Sequence, residues 1–411
     1  MTDAFWALHH GLPRQSPGSN ATTRRFLSLA GPLPGRPRVL DLGCGPGRAA
    51  LLLAEEAGAE VTAVDLHEPF LAELDRAAEE RGLAGSIRTV RADMGDLPFE
   101  DGSFDLVWAE GSAYCVGFDT ALREWKRLLA PGGTLVLSEC EWTVAEPSAG
   151  ARAFWDPSYP LRTAAANSAA AVAAGYHVLG TYTQPDSDWD AYYGPLAERA
   201  AVADPAAPGM AEALRATRAD LAARREHGAE YGYTGHVLRP ADPRWRTRPE
   251  TAADAAAVRA VNEAAFPTPG EADLVDALRA DPSAWVPGLS YVAEDAAGAV
   301  VAHALVTRCH VDGEPALALA PCAVDPARQG TGAGQAVVRA VLDAARLRGE
   351  ERVVLVLGHP EYYPRFGFVR ASQYGIRPGF EVPDEAMMAL VLDGSGPVPQ
   401  GTIHYPEAFG V

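Results

Sequence analysis

The feature that most limits the possible folds of this chain is a regular alternation of short apolar strands with amphipathic helices. It extends from Arg38 to Trp142, and glycine and proline mark the joints, as at Pro131-Gly132-Gly133 before the fifth strand. Such alternation is typical of an α/β domain with a doubly wound parallel sheet. The predicted strands are Val39–Leu42, Val61–Asp65, Ile87–Ala92, Phe104–Trp108 and Thr134–Ser138.

A short proline-rich segment, Arg239-Pro-Ala-Asp-Pro243, divides the chain. Because it is stiff and short, we predict a semi-rigid linker between one domain at residues 1–239 and another at residues 244–411. Before the linker, Tyr176–Thr183 and Tyr231–Leu238 are predicted to close the first sheet as an antiparallel edge pair. After it, consecutive strands with few helices favour a mixed-sheet α+β domain.

Charge excludes two classes of partner. The net charge is −19, and residues 1–240 carry 32 acidic and 21 basic side chains, against 22 and 14 in the remainder. Nucleic acids and anionic membranes attract basic surfaces, so we expect neither as a partner. The N-terminus lacks the pattern of a signal peptide, and no apolar run approaches the ~20 residues of a membrane span.

The cysteines favour a protein without disulfide bonds or a zinc site. All five are dispersed without a CxxC spacing, which favours neither a disulfide framework nor a zinc site. We therefore predict a cytoplasmic protein that binds no metal and acts on small molecules. The sequence leaves the oligomeric state, including a homo-oligomer, open.

The first predicted strand ends in a glycine-rich turn, Gly43-Cys-Gly-Pro-Gly47, before a helix. Glycines permit the tight turn and let a ligand approach the backbone closely. Asp65 ends the second strand and Asp93, followed by Met94, ends the third. Ligands of open α/β sheets bind at the carboxyl ends of the strands. The spacing therefore predicts a nucleoside site, with Asp65 on the ribose hydroxyls and Asp93 on an exocyclic amine.

Residues 38–142 resemble a class I S-adenosylmethionine-dependent methyltransferase with a Rossmann-like sheet, because Asp41 to Gly47 match its glycine motif. A dinucleotide suits the turn less well, since the acid at its head would repel a pyrophosphate but attract an ammonium group. The resemblance implies S-adenosylmethionine as the cofactor. It assigns the methionine part to Asp41, Gly43 and Gly45, the ribose to Asp65, the adenine to Asp93 and Met94, and further contacts to Leu66 and Glu110.

The N-terminal segment adds a second mark. Arg14, Pro17, Gly18 and Ser19 match a segment of one bacterial subgroup of small-molecule methyltransferases, and the similarity implies that they cap the site. The sequence does not identify the methyl acceptor. Candidates to orient a nucleophile or act as base, or else to serve only in packing, are Tyr114, His67, Glu110, Glu139, His9 and His10.

A second glycine-rich turn, Arg328 to Gly334, joins an apolar strand to a long helix. Backbone N–H groups at such a helix start form an anion site, and Arg328 adds positive charge. The absence of a Gly-Lys-Ser/Thr sequence in this turn excludes a P-loop.

Residues 244–411 resemble the GNAT acetyltransferase superfamily, in its YhbS-like branch, because Gln329, Gly332 and Gly334 match its turn motif. The resemblance implies acetyl-CoA as the second cofactor. Tyr363, four residues before Gly367, would then be the general acid that protonates the departing thiolate. The implied cofactor contacts are Ala323, Val324, Arg328, Gln329, Gly330, Gly332 and Gly334.

Four further residues of this half carry side chains that could take part in acetyl transfer. His359, Glu361 and His310 are candidate bases for the acceptor ammonium, whereas Cys322 is interpreted as a small buried strand residue rather than a nucleophile. The sequence thus predicts a bifunctional enzyme that transfers a methyl group and an acetyl group to small-molecule acceptors, in specialised metabolism. In the alternative interpretation, only one half is catalytic and the other binds a cofactor or serves as a scaffold.

Overall fold

The computed structural model describes residues 2–392 and 396–410. The chain divides into two compact units, Met1–Pro240 and Ala241–Val411. Across the described residues, no helix is both long enough and apolar enough to cross a membrane. In the same residues, no group of three or more histidine, cysteine or acidic side chains is arranged to hold a metal ion.

The first unit is built on a seven-stranded sheet. Its strands are β1 (Arg38–Leu42), β2 (Glu60–Asp65), β3 (Ile87–Arg91), β4 (Phe104–Glu110), β5 (Leu129–Trp142), β6 (Tyr176–Thr183) and β7 (Tyr231–Pro240). The order is β3-β2-β1-β4-β5-β7-β6, with β1 to β5 parallel and β5-β7 and β7-β6 antiparallel. The doubly wound parallel sheet and its antiparallel edge pair are therefore confirmed.

Nine helices accompany this sheet in the described part of the unit. They are α1 (Asp3–His9), α2 (Asn20–Ala30), α3 (Arg48–Ala57), α4 (Glu68–Glu80), α5 (Phe118–Glu124), α6 (Ala149–Trp155), α7 (Ala164–Ala173), α8 (Asp186–Val202) and α9 (Met210–His227). Alternate side chains of β1 point to opposite faces of the sheet. Leu40 and Leu42 pack in the core on one face, whereas Val39 packs in the core beneath α3 on the other. Asp41 shares the face of Val39, which brings its carboxylate toward the start of α3.

The second unit contains a mixed sheet. Its strands are β8 (Arg246–Pro249), β9 (Ser290–Glu294), β10 (Val300–Val311), β11 (Glu314–Val324), β12 (Val353–Leu357), β13 (Val369–Arg370), β14 (Ile376–Arg377), β15 (Met387–Val391) and β16 (Gly401–His404). Its helices are α10 (Ala255–Ala265), α11 (Gly270–Ala280) and α12 (Ala333–Arg348). The predicted mixed-sheet α+β class is confirmed, but the four short strands after residue 368 were not foreseen.

In the middle of this sheet two neighbouring strands, β11 and β12, separate and leave a gap, which we call the seam. Strands β11 and β12 are parallel and pair only at Leu317 with Val354 and at Ala318 with Leu355. Beyond that point, β11 continues to Val324 while it remains paired with β10. The peptide groups of β11 after Ala318 therefore face a gap on the β12 side, and α12 begins at the end of that gap.

Candidate functional site

The glycine turn after β1 leaves no space for a side chain at Gly43. This residue has a φ of 67°, and a Cβ atom there would lie 2.5 Å from Cβ of Ser112. Ser112 is itself fixed, because its hydroxyl donates to the carbonyl oxygen of Leu42 at 2.6 Å. The N–H groups of Gly43 and Cys44 donate to the carbonyl oxygen of Val64 at 2.9 and 3.0 Å. The turn is thus held by β2 on one side and by Ser112 on the other.

Two buried carboxyl groups lie beside this turn, at the ends of β1 and β4. Oδ2 of Asp41 and Oε2 of Glu110 have no hydrogen-bond partner among the described residues. Burial, with a further contribution from Glu110, raises the pKa of Asp41 to about 8. Burial also raises the pKa of Glu110, although Arg14 Nη1, 3.8 Å from Oε2, opposes this shift. Both groups line a cavity of about 50 Å³ together with the turn, so the cavity favours a cationic ligand group.

The N-terminal strap, which we define as residues 14–19, covers the same cavity. Cγ of Gln15 lies 3.6 Å from the position of a Cβ atom on Gly45, and Ser16 packs against Gly111. The strap continues into α2, whose first turn is capped by the Ser19 hydroxyl as it accepts from the N–H of Thr22 at 3.1 Å. The strap therefore lies where the sequence analysis expected a cap.

The predicted nucleoside contacts all lie at the carboxyl edge of the sheet. Asp65 accepts hydrogen bonds from the N–H groups of Gly45 at 2.9 Å and of His67 at 2.8 Å, so it shapes the turn itself. Leu66 is 59% exposed, which is unusual for a leucine that follows a buried strand. Asp93 accepts from the N–H of Gly95, and the methyl group of Met94 approaches Gly43. An apolar surface beside carboxylates suits a nucleoside.

The glycine turn of the second unit leads into α12. Gly330 and Gly332 have φ angles of 73° and 103°, and Gly332 caps the helix without a side-chain hydrogen bond. A Cβ atom on Gly334 would lie 2.9 Å from Cγ2 of Val324 and 3.0 Å from the Tyr362 hydroxyl. Val324 and Tyr362 therefore pack closely on the first turn of the helix, whose N–H groups have no partner within the helix.

The side chains of this turn are engaged locally. Arg328 is paired with Asp295 at 2.9 Å, and Nε2 of Gln329 donates to the carbonyl oxygen of Val324 at 3.3 Å. The pairing offsets part of the positive charge that the sequence analysis attributed to Arg328. Anion binding at this turn consequently depends chiefly on backbone N–H groups and the helix dipole. Ala323 and Val324 lie at the end of β11, beside the seam.

Two adjacent tyrosines occupy different ends of the seam. The hydroxyl of Tyr362 lies at Gly334, by the glycine turn, whereas the ring of Tyr363 packs against Gly358 at the end of β12. Tyr363 is 9% exposed. Burial, followed by the influence of Cys322 on β11, raises the pKa of the Tyr363 hydroxyl, which therefore keeps its proton at neutral pH.

Comparisons with known proteins agree with both geometries. The profile of the family described as "Methyltransferase domain" matches residues 40–137, and that of the "Acetyltransferase (GNAT) family" matches residues 256–368. The chain is 42% identical over 137 residues to the uncharacterized N-acetyltransferase YjhQ of Escherichia coli, with 32% of this chain and 74% of that protein aligned. The C-terminal unit belongs to the GNAT acetyltransferase family.

The N-terminal unit contains a methyltransferase domain. It is 48% identical over 104 residues to the demethylmenaquinone methyltransferase of Thermus thermophilus, covering 25% of this chain and 46% of that enzyme. The chain spans only about half the length of the first curated methyltransferases that it matches, 46% and 54%. A Geobacter sulfurreducens S-adenosylmethionine-dependent methyltransferase structure shares the fold, with a TM-score of 0.53, 20% identity, and coverage of 58% of this chain and 98% of that chain.

In the methyltransferase unit, the acceptor candidates fall into two groups. His10 and His67 hydrogen-bond to each other at 2.6 Å beneath Trp6, and His9 is buried in α1, where Nδ1 contacts the carbonyl oxygen of Phe5. We assign these histidines to packing of the N-terminal segment. Glu139 and Tyr114 form the other group, because the Tyr114 ring stands edge-on to that of Tyr159 at 6.3 Å between centroids, and Tyr159 lines a cavity with Glu139.

In the GNAT unit, the candidate bases His310 and His359 lie at different distances from the glycine turn. His310 pairs with Pro315 at the far end of the β10-β11 hairpin, eight residues from Ala302, whose partner is Val324. At ~3.4 Å per residue this is roughly 27 Å from the glycine turn, which removes His310 from the site. The carbonyl oxygen of His359 accepts from the N–H of Tyr362, so His359 borders the seam. Burial raises the pKa of Cys322 to about 12, which disfavours a nucleophilic thiolate.

Sequence analysis missed several residues that the fold brings to these sites. Ser112 and Tyr362 stand next to recognised motifs, and their neighbourhood could have drawn attention to them. Tyr159, Arg162 and Asn167 come from the connections that follow β5, and they line a cavity with Glu139. No local sequence signal marks those three positions.

Proposed function

We propose that the chain is a bifunctional transferase, in which the N-terminal domain transfers the methyl group of S-adenosylmethionine and the C-terminal domain transfers the acetyl group of acetyl-CoA. The domains correspond to residues 1–239 and 244–411, and both act on small-molecule acceptors. Of the three proteins described above, the Geobacter sulfurreducens enzyme was solved with S-adenosylhomocysteine. The free state of all five cysteines supports a cytoplasmic location.

The pair of acids at the first glycine turn carries the methyltransferase half of the proposal. Asp41 and Glu110 lack hydrogen bonds at one oxygen each, and a ligand ammonium would satisfy them. Gly43 and Gly45 would let the ligand carboxylate approach the backbone. Asp65 retains lone pairs for ribose hydroxyls, and Leu66 offers the exposed apolar surface that a purine covers.

S-adenosylmethionine supplies a methyl group on an electrophilic sulfonium. The protein's own contribution is alignment, because Asp41 and Glu110 fix one end of the ligand while Asp65 fixes the ribose. Such positioning keeps the reacting carbon at a defined place on the carboxyl edge of the sheet, and the strap excludes water from it.

The seam of the GNAT unit carries the acetyltransferase half. Peptide groups of β11 after Ala318 are available to an extended ligand arm, and the N-terminus of α12 suits a pyrophosphate. Acetyl-CoA supplies an acetyl group activated as a thioester. Tyr363, whose ring packs against Gly358 at the end of β12, would donate a proton to the departing sulfur, whereas Tyr362, whose hydroxyl lies at Gly334, would contact the pyrophosphate end.

The test uses calorimetric titration of the full chain with S-adenosylmethionine and with acetyl-CoA. We expect Asp41→Asn to weaken only the first ligand and Gly334→Val to weaken only the second, each variant serving as the folding control of the other. Failure of the wild-type chain to bind one ligand would favour the alternative, in which that unit is a scaffold. A single product that carries both groups, detected by mass spectrometry, would support a shared role in specialised metabolism.

A further inference from the structure

The methyltransferase unit contains a further cavity, lined by residues of β5 and of the connections around it. We call it the β5 pocket and define it by Gly117, Phe118, Glu139, Tyr159, Arg162 and Asn167. Its volume is about 450 Å³, which accommodates a small organic molecule. The pocket lies at the carboxyl end of β5, the strand beside β4 in the sheet.

The pocket and the cofactor edge are joined by the turn Ala113–Cys115. Glu110 at the end of β4 pairs in register with Ser138, which immediately precedes Glu139 on β5. Burial raises the pKa of Cys115 in this turn, and the charges of Asp65 and Glu139 add to the shift. A molecule in the β5 pocket is therefore next to the region where the methyl donor is proposed to bind.

Glu139 lies in the wall of this pocket, and one of its two carboxylate oxygens accepts no hydrogen bond among the described residues. Its side chain is 2% exposed, and Oε1 accepts a hydrogen bond from the N–H of Cys140 at 3.1 Å. Oε2 has no hydrogen-bond partner among the described residues. A buried carboxylate oxygen without a partner is costly, so its presence in a cavity wall points to a ligand that donates to it.

The other charges near the pocket are already paired. Asp119 binds Arg162 at 2.8 Å, and Glu141 binds both His236, at 2.7 Å, and Asn167, at 2.5 Å. Glu139 forms no ion pair among the described residues, although the Tyr159 hydroxyl interacts with its carboxyl group. Phe118, whose ring carries the Arg162 guanidinium at 5.2 Å, and Tyr159 line the same space, and Tyr114 stands edge-on to Tyr159 at 6.3 Å between ring centroids. An acid enclosed by aromatic rings is the chemistry that binds organic cations.

We propose that the β5 pocket binds the methyl acceptor as a small amine, with Glu139 holding its ammonium group and accepting the proton that the nitrogen must lose. This rests on the proposed methyltransferase function of the unit. The nitrogen lone pair then forms the N–C bond while the S–C bond of S-adenosylmethionine breaks and its electron pair stays on sulfur. The products are the N-methylated ammonium ion, S-adenosylhomocysteine and protonated Glu139, which returns its proton to water.

The test measures choline binding to the full chain by calorimetry, with S-adenosylhomocysteine present in excess. Choline is a permanent cation, and 3,3-dimethylbutanol is its uncharged isostere. We expect the isostere to bind at least ~10-fold more weakly, and Glu139→Gln to lower choline affinity by a similar factor. Glu79→Gln, which removes an exposed acid of α4, is the matched control and should leave choline binding unchanged.

A second readout is the pH dependence of choline binding. Burial raises the pKa of Glu139 to about 7, so its charge, and with it the affinity for a permanent cation, should increase between pH 6 and 8.5. The other titratable groups that act on Glu139 are Glu141 and Cys140 on β5, Tyr159, Tyr114 and Cys115 in the connections, and His236 and Tyr233 on β7. Loss of the pH dependence in Glu139→Gln would separate Glu139 from these groups.

Two outcomes have distinct meanings. If the chain does not bind S-adenosylhomocysteine, the proposed methyltransferase function itself fails. If S-adenosylhomocysteine binds but choline binds no better than its isostere, or binds equally well to Glu139→Gln, the amine assignment is overturned while the function stands. Retained S-adenosylhomocysteine binding in Glu139→Gln shows that the variant is folded.

Discussion

The two glycine turns of this chain have similar backbones and opposite surroundings. The turn at Gly43–Gly47 lies next to two buried carboxyl groups, Asp41 and Glu110, whereas the turn at Gly330–Gly334 has its arginine paired and tyrosines nearby. Both let a ligand approach the backbone closely ahead of a helix. In the first, the neighbouring acids select a ligand that also carries a cation. In the second, Asp242 lies at Gly332 but is paired with Arg244 at 2.6 Å, so the helix dipole remains to attract a phosphate.

Glycine spacing thus predicts where a ligand approaches the backbone, but it does not predict which charge the ligand carries. The charge selection comes from side chains on adjacent strands, such as Glu110 on β4. Four predictions test this division of roles, beginning with the largest effect.

The first prediction concerns access to the backbone. Gly43→Ala should weaken S-adenosylmethionine binding by roughly 100-fold, because its Cβ atom would meet Ser112 at 2.5 Å and displace the turn. Acetyl-CoA binding by the same chain should not change. Gly82→Ala is the control, since Gly82 has a similar φ of 71° but nothing within 4 Å of the added atom. Equal losses in both variants would show that backbone strain, not the contact, is responsible.

The second prediction separates the two tyrosines of the seam. Tyr363→Phe should lower kcat for acetyl transfer by about 100-fold with little change in acetyl-CoA affinity, as expected for loss of a general acid. Tyr362→Phe should instead weaken acetyl-CoA binding a few-fold and leave kcat nearly intact. The measurements are steady-state kinetics with an amine acceptor and calorimetric titration. The reverse pattern would assign the proton donor to Tyr362.

The third prediction tests charge selection directly. Asp41→Asn should weaken S-adenosylmethionine binding by roughly 10- to 100-fold, because a hydrogen bond between charged groups is worth about 1.5–3 kcal/mol. Acetyl-CoA affinity, measured by calorimetry on the same sample, should stay constant. An unchanged affinity for S-adenosylmethionine would mean that the ammonium lies elsewhere.

The smallest effect is a pH dependence. The pKa of Asp41 is raised to about 8, chiefly by burial, so the free site is mostly protonated at pH 6 to 7.5. Pairing with an ammonium favours the carboxylate, hence binding should release a proton and tighten by up to tenfold per pH unit over this range. Calorimetry in buffers of different ionisation enthalpy measures the released proton. Asp41→Asn should abolish the release.

Sequence reasoning succeeded where the local pattern is dictated by burial. Strands of a parallel sheet covered on both faces appear as apolar runs, which is why β1 and β2 were located to within one residue. Strands β13 and β14, with two residues each, are too short to show any periodicity. Their positions depend on pairing with β15 and β16, which a single sequence does not reveal.

The same distinction holds for the sites. The glycine turns and the acids at strand ends follow one another at regular spacing, so Asp41, Asp65 and Asp93 could be singled out. The β5 pocket combines Glu139 with Tyr159 and Asn167, which only the folding of the connection after β5 brings together. Among the described residues Asp119 and Glu141 form ion pairs whereas Glu139 forms none, and this difference is a property of packing that has no counterpart in the sequence.

The N-terminal strap has a kinetic consequence. Gln15 and Ser16 leave only about 50 Å³ at the glycine turn, far less than a nucleoside ligand occupies, so the ligand and the strap compete for volume. Entry and exit of the ligand then require the strap to swing away, with rupture of the Arg14–Glu110 contact. Exchange should be a gated, first-order process whose rate saturates at high ligand concentration, and release of the spent donor would limit turnover.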